Sequence, residues 1–292
     1  MDGLAPIDAW AVAAIVAKAA GYGVALLAMG GPLFSAVLPN AEPSVHRLAR
    51  QIATTAAIVA IAILAIRFGI RAGRISGMGL PGAVDPTMLG IDWNSPLGTS
   101  AIWQTVGMML VLGMRIRGAT GVFLGLAGAV LIAVSLTFVG HSLGSPRWVL
   151  ASFLVIHLLC AGFWVAALAP LYLAASQSEG ALLLHRFGVI ASGAVALLLA
   201  AGVGFVWQVS GSISTLFSTA YGTVLVAKLA AVSGLMMLAA FNKWRFVPAL
   251  ADRDSAAVEH LRASIRLEGL AVVLILILTA TLTSVTTPPA NL

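Results

Sequence analysis

Two soft-ligand side chains and an aromatic one stand at helical spacing within an apolar run. His157, Cys160 and Trp164 are separated by three and then four residues, so on an α-helix they share one face. Imidazole and thiolate are ligands of copper, and an ionisable group inside an apolar span is a functional candidate because its burial there is costly. Two interpretations stay open for His157: a metal ligand, or a hydrogen bond between helices. Cys160 is more readily explained by packing.

A second histidine, His141, ends the preceding apolar run in the sequence Gly-His-Ser. The connection between the two runs is short, so their helices are expected to be neighbours. His141 would then lie above His157 at the outer mouth of a cavity between helices. If both are ligands, the two histidines would form a copper site near the outer end of the bundle.

Methionines occur as adjacent pairs in two other apolar runs, Met108 with Met109 and Met236 with Met237. Thioethers suit Cu(I) in particular and could pass it along a pore. Adjacent residues cannot both face the same side of a helix, so core packing is the favoured interpretation of these pairs. If thioethers take part, Cu(I) is the favoured form of copper.

Five further polar residues fall within apolar runs or at their ends. Lys228 would repel a passing metal ion and is not expected to be a ligand, while Lys18 has no role that the sequence suggests. Glu268 is expected to neutralise nearby arginines. His46 and His185 hold matching places before two runs, where polar residues cost little. Interface histidines are the favoured interpretation of this pair, with a metal exit site or a haem site as alternatives.

Composition places most of the chain in lipid. The 292 residues are 60% hydrophobic and 9% charged, with a mean hydropathy of +1.04, whereas a soluble domain carries about a quarter charged residues. The net charge of +6 does not indicate nucleic-acid binding, because Lys and Arg are spread over short connections and not clustered on a polar face. With Cys160 as the one cysteine, no intramolecular disulfide can form.

Eight apolar runs approach the length of about 20 residues that a helix needs to cross a bilayer. They are Ile7–Phe34, Leu48–Ile70, Pro96–Met114, Ala119–Gly140, Trp148–Ala174, Leu183–Val209, Thr219–Trp244 and Leu267–Val285. Lys and Arg are concentrated in the connections after runs one, three, five and seven. The richer side is cytoplasmic, so both termini are expected to face outward. The longest connections are about Arg71–Ser95 outside and about Arg245–Arg266 inside, the latter with room for a short helix.

The chain also looks duplicated. Short motifs recur in the same order in the first and last four runs, such as Pro32-Leu33-Phe34 with Pro170-Leu171-Tyr172 and His46-Arg47 with His185-Arg186. The repeat predicts an all-α polytopic membrane helix bundle of two four-helix halves, residues 1–140 and 141–292. Four spans per half would leave the halves parallel, related by an axis along the membrane normal.

Several catalytic and energy-coupling motifs are missing from the sequence. It holds no Walker A sequence, no Cys-x-x-Cys, no Cys-x-x-Cys-His and no His-Glu-x-x-His, the motifs of nucleotide, redox, haem-attachment and zinc-protease sites. The chain is therefore not expected to be an enzyme or to drive transport with ATP.

The stretch Gly140–Leu171 contains a Gly-His pair at the end of one run, then His-Leu-Leu, small residues and a Trp in the next. This arrangement resembles the central signature of the copper resistance D (CopD) family. The family's small pair after the Trp, often Gly-Gly, is here Ala166-Ala167. Also similar are the stretches Ser218–Leu229, Phe241–Leu250, Arg266–Glu268 and Thr287–Pro289.

The resemblance implies copper uptake or tolerance in a bacterial inner membrane, beside a separate periplasmic copper-binding protein of the CopC type. The main hypothesis is copper import across the bilayer with ligands near the outer side. The alternatives are a b-type haem-binding redox protein with bis-His sites and a copper delivery scaffold that does not transport. The positions matching the family's patterns are His141, His157, Trp164, Tyr221, Gly222, Lys228, Asn242 and Glu268.

Overall fold

The computed structural model describes residues 7–140, 146–210, 219–252 and 256–286. Within these ranges eight helices are long and apolar enough to cross a membrane, which confirms the predicted all-α polytopic bundle. The α-helices are α1 (Ala9–Val37), α2 (Pro43–Ser76), α3 (Leu80–Ala83), α4 (Pro86–Trp93), α5 (Pro96–Leu112), α6 (Ala119–Ser135), α7 (Arg147–Ala174), α8 (Gly180–Ser210), α9 (Ala220–Phe241), α10 (Val247–Ala251) and α11 (Ala257–Leu282). A π-helical segment, Asn242–Phe246, joins α9 to α10.

Capping residues account for where several helices begin and end. Asp8 Oδ1 accepts a hydrogen bond from the Ala11 backbone N–H at 2.7 Å at the start of α1, and Asp85 Oδ1 accepts one from Met88 at 2.9 Å at the start of α4. These bonds satisfy N–H groups that have no partner within the helix. Helix α2 ends at Gly77, whose φ of 67° is the left-handed conformation that glycine adopts without strain.

The connection on the predicted outer side is helical, although the sequence predicted a loop from about residue 71. Helix α2 continues to Ser76 and is followed by α3 and α4. Arg71 Nε donates to Asp92 Oδ1 at 2.8 Å, which ties α4 to α2. The Trp10 ring lies so close to Gly73 that a Cβ there would be 2.8 Å from it. Together α3, α4 and the adjoining ends of α1 and α2 form a compact cap, named the outer cap because this side is predicted to face outward.

Helix α1 contacts helices of both predicted four-helix halves. The first group is α1, α2, α5 and α6, and the second group is α7, α8, α9 and α11. Helix α1 packs against α2, α6, α7 and α11. Where it crosses α7, a Cβ on Gly30 would lie 1.9 Å from the carbonyl oxygen of Gly162 and 2.4 Å from the Cβ of Ala166. On its other side, a Cβ on Gly31 would lie 2.5 Å from the Cβ of Ala53. Small residues at these positions let the helix backbones approach closely, as is usual between membrane helices.

The two groups of helices pack differently. In the first group α2 contacts both α1 and α5, around a core that includes Met29, Met108 and Ile132. In the second group α8 packs on α7 and α9 packs on α11, but within the described residues α8 and α9 do not pack closely on each other. A gap therefore remains between α8 and α9. The division at residue 140 and the parallel relation of the halves stay predictions.

Lys18, which the sequence left without a role, binds the end of α11. Its Nζ donates to the carbonyl oxygen of Thr283 at 2.7 Å and contacts Ser284 Oγ at 3.4 Å. The last carbonyls of a helix lack partners within the helix, and a cation is favourable beside them. Lys18 thus fixes α1 to the C-terminal end of the last span.

Candidate functional site

The imidazole of His157 lies between α7 and α8. Its Nδ1 is buried and makes no hydrogen bond, and a Cβ on Gly202 of α8 would be 3.9 Å away. The backbone of Leu198 approaches the ring closely enough to interact with it weakly, and Lys228 of α9 is close enough to act on the ring electrostatically. Buried polar atoms are nearly always paired, so this open nitrogen marks His157 as a place where a ligand could bind.

The other two residues of the predicted face have different surroundings. Cys160 is a free, partly buried thiol. Trp164 is buried, and its ring makes an edge contact with Phe187 of α8 at 6.3 Å between ring centroids. Its indole Nε1 donates to Glu268 Oε2 at 3.3 Å. Trp164 therefore serves to hold a carboxylate, and the structure does not add it to a ligand set around His157.

Glu268 does not neutralise arginines, so that prediction is wrong. Only 4% of the residue is exposed, and its carboxylate accepts hydrogen bonds from Trp164 Nε1 and, through the other oxygen, from Asn242 Nδ2. The arginine one turn and a half before it, Arg262, bonds instead to the carbonyl oxygen of Tyr172 at 3.2 Å. The acid therefore faces the interior of the second group of helices, while this arginine faces its edge.

A cleft of about 310 Å³ occupies the gap between α8 and α9. Trp164, Asn242 and Glu268 lie on its wall, and most of the remaining lining is apolar. At the rim Lys243 Nζ donates to Ser192 Oγ at 2.6 Å, which links the end of α9 to α8. Other lining residues are Leu184, Phe187, Ala191, Val195, Leu199, Met236, Val247, Leu261 and Ile265. The lining residues of the cleft reach from Leu199 of α8 to Lys243 and Trp244 beyond α9, toward the predicted cytoplasmic side.

In each methionine pair, one residue faces inward and the other faces outward. Met108 is buried and Met236 lines the cleft, whereas Met109 is 54% exposed and Met237 is 63% exposed on the helix surface. This agrees with the expectation that adjacent residues cannot share a face. Met108 belongs to the closed core of the first group, so Met236 is the thioether with open space beside it.

His46 and His185 have different surroundings. His46 Nε2 lies 3.2 Å from the carbonyl oxygen of Pro39, and its ring packs edge-on against Phe34. His185 is exposed on α8. Both lie near helix ends, as interface histidines would. The bis-His haem site that this pair could have supplied stays a prediction.

Two further predictions concern metal ligands as a group. His141 lies outside the described residues, so its placement above His157 stays a prediction. Among the residues that the structure does describe, no three His, Cys, Asp or Glu side chains come together as a metal centre.

Tyr221 and Gly222, the other matches to the family pattern, lie in the first turn of α9. There the Gly222 N–H donates to Oγ1 of the cap residue Thr219 at 3.1 Å.

The described helices form a polytopic all-α bundle, and several of its spans line one cleft. The sequence model of the family described as copper resistance protein D matches residues 181–282. The sequence model of the copper resistance protein D-like N-terminal domain matches residues 7–149. The chain belongs to the copper resistance D family and is a multi-pass copper-handling membrane protein. No curated protein and no solved structure matches it.

Proposed function

We propose that this protein carries copper inward across a bacterial inner membrane, through the second group of helices, with His157 as a ligand on the way. The observation that carries the proposal is the buried Nδ1 of His157, which has no partner among the described residues. Neutral imidazole is a good ligand for copper. A buried ring nitrogen without a partner would otherwise be costly to keep.

The cleft offers a continuation of the route. His157 and Trp164 are seven residues apart on α7, which is about 10 Å along the helix axis. Below His157 the cleft passes the thioether of Met236 and ends beside Lys243. A soft thioether ligand in a mostly apolar cleft suits Cu(I), so Cu(I) is the form we propose to be carried.

The surroundings of His157 favour brief binding over storage. Lys228 acts on the imidazole electrostatically, and a cation there opposes a bound metal ion by simple repulsion. The described residues also supply no third His, Cys, Asp or Glu to complete a tight site. A carrier needs sites weak enough to release the ion, and this combination meets that requirement.

Copper would come from a periplasmic copper-binding protein of the CopC type at the outer face, which the family membership suggests as a partner. With both termini in the periplasm, the outer cap would be the face presented to it. A delivery scaffold that passes copper sideways to another protein would use the same outer residues. Uptake into sealed vesicles that contain only this chain separates transport from delivery.

The test is copper uptake into proteoliposomes loaded with a Cu(I) chelator, comparing His157→Ala with the wild type. We expect the initial rate to fall on the order of tenfold, equivalent to about 1.4 kcal/mol. His185→Ala is the matched control, because His185 is an exposed histidine of the neighbouring helix. An unchanged rate in correctly folded His157→Ala, or no uptake by the wild type, would contradict the proposal.

A further inference from the structure

We propose that Glu268 and Asn242 form a binding site for a small hard monovalent cation, Na⁺, inside the cleft. The site is separate from His157 and uses different ligand chemistry. Its walls come from three helical segments: Glu268 lies on α11, Asn242 on the π-helix after α9, and Trp164 on α7. Nothing in the copper route requires this carboxylate, so it needs its own explanation.

The first argument is a missing positive charge. Glu268 is 4% exposed, and both its hydrogen-bond donors, the indole of Trp164 and the amide of Asn242, are neutral. Among the described residues, no Lys, Arg or His makes an ion pair with it. Burying an ionised carboxylate without a cation is strongly unfavourable. A bound cation would supply the missing charge.

The second argument is a missing partner on Asn242. With its Nδ2 donating to Glu268, its Oδ1 is buried and makes no hydrogen bond. If the amide is turned over, Oδ1 instead faces the carboxylate, so that two acceptors meet. The two orientations of an amide are interchangeable in shape. In either orientation of the amide, the Asn242 Oδ1 acceptor has no donor. A cation beside the carboxylate would satisfy it.

The third argument is the character of the ligands. Carboxylate and amide oxygens are hard ligands, which bind hard cations and not Cu(I). The cleft beside them has room for water molecules to complete the coordination of the ion. Asn242 also opens a π-helical segment, a local irregularity that occurs often at functional sites and that sets its side chain toward α11.

Access is from the end of the cleft at Lys243 and Trp244. The ammonium group of Lys243 is held by Ser192 Oγ on the rim and makes no ion pair with Glu268. The carboxylate is thus left for an ion that enters from that side. If the predicted topology holds, the ion comes from the cytoplasm.

The experiment is a Na⁺ titration of the purified full-length protein in detergent, without copper, against choline at constant ionic strength. Tryptophan fluorescence is the readout, since the Trp164 indole bonds directly to Glu268; the chain has seven tryptophans, so Trp164→Phe identifies the responding one. Glu268→Gln keeps the size of the side chain and removes its charge. Glu259→Gln is the matched control, an exposed acid on the same helix.

We expect a saturable fluorescence change with Na⁺ that is lost in Glu268→Gln and Trp164→Phe and kept in Glu259→Gln. Asn242→Ala should weaken the affinity for Na⁺ on the order of tenfold, which is the effect expected for the loss of one ligand. Two results would overturn the proposal: a wild-type signal that ignores Na⁺ and follows pH alone, or no signal at all. Because copper is absent from the titration, its result is independent of the test of His157.

Discussion

At the scale of single residues, three ionisable side chains within the spans have quite different neighbours. Lys18 binds the carbonyl end of α11, Lys228 lies beside an unpaired imidazole, and Glu268 is held between two neutral donors. In the sequence all three carry the same expectation, that a charge within lipid is costly and therefore functional. The structure divides them into one structural contact and two features of the candidate site.

Lys18→Met is expected to destabilise the protein by about 1–3 kcal/mol, because it leaves the partly buried carbonyl of Thr283 without its donor. The measurement is the midpoint of thermal unfolding in detergent. Lys243→Met provides the comparison: its partner Ser192 is exposed, so removing that contact should change stability by less than about 0.5 kcal/mol. Equal losses in the two variants would show that Lys18 is no more than a surface lysine.

The candidate residues could be predicted from the sequence. The hydrogen-bond partners of their side chains could not. Glu268 bonds to residues 104 and 26 positions away, a separation that depends on how α7, α9 and α11 are arranged in space. Local spacing reports only residues on the same helix. The expectation that Glu268 would pair with arginines failed for this reason.

At the scale of the helices, the spans were predictable because hydropathy marks each of them. The ends were less so: α2 continues through Arg67, Arg71 and Arg74 to Ser76, where the apolar run has already stopped. Helical structure persists there because Arg has a high helix propensity and because Asp92 of α4 binds Arg71. Hydropathy records where lipid ends, and contacts outside the lipid decide where the helix ends.

Gly30→Ala is expected to destabilise the bundle by about 1–3 kcal/mol through overpacking, since its Cβ would meet the Gly162 backbone at the crossing of α1 and α7. Gly193→Ala in α8 is the matched control. A Cβ there meets nothing within 4 Å, so greater helix propensity should stabilise it by up to about 1 kcal/mol. Thermal unfolding of both variants measures the difference, and a stable Gly30→Ala protein would contradict the close crossing.

At the scale of the whole molecule, the two groups of four helices are unequal. The first is closed because α2 packs on α5, and the second is open because α8 and α9 stay apart around the cleft. Both candidate ion sites, at His157 and at Glu268, lie in the open group. The closed group contacts the open group mainly through α1, which packs on α7 and α11.

The predicted topology, with both termini outside, can be tested by cysteine labelling in a Cys160→Ala background. Gly90→Cys on α4, a position with open space around it, should react with a membrane-impermeant maleimide in intact spheroplasts. Asn40→Cys, in the exposed connection after α1, should react only after permeabilisation, because the side rich in Lys and Arg is cytoplasmic. The reverse labelling pattern would invert the direction of transport proposed above.

The length of α2 has a mechanical consequence. Its 34 residues make a rod of about 51 Å, while the hydrocarbon layer is about 30 Å thick. The excess stands outside the lipid, where the ion pair between Arg71 and Asp92 fastens α4 to it. A protein that docked on the outer cap would therefore push on a rigid helix and not on a flexible loop. Through α1, which touches α2 and α7 alike, that push would reach the helix that carries His157.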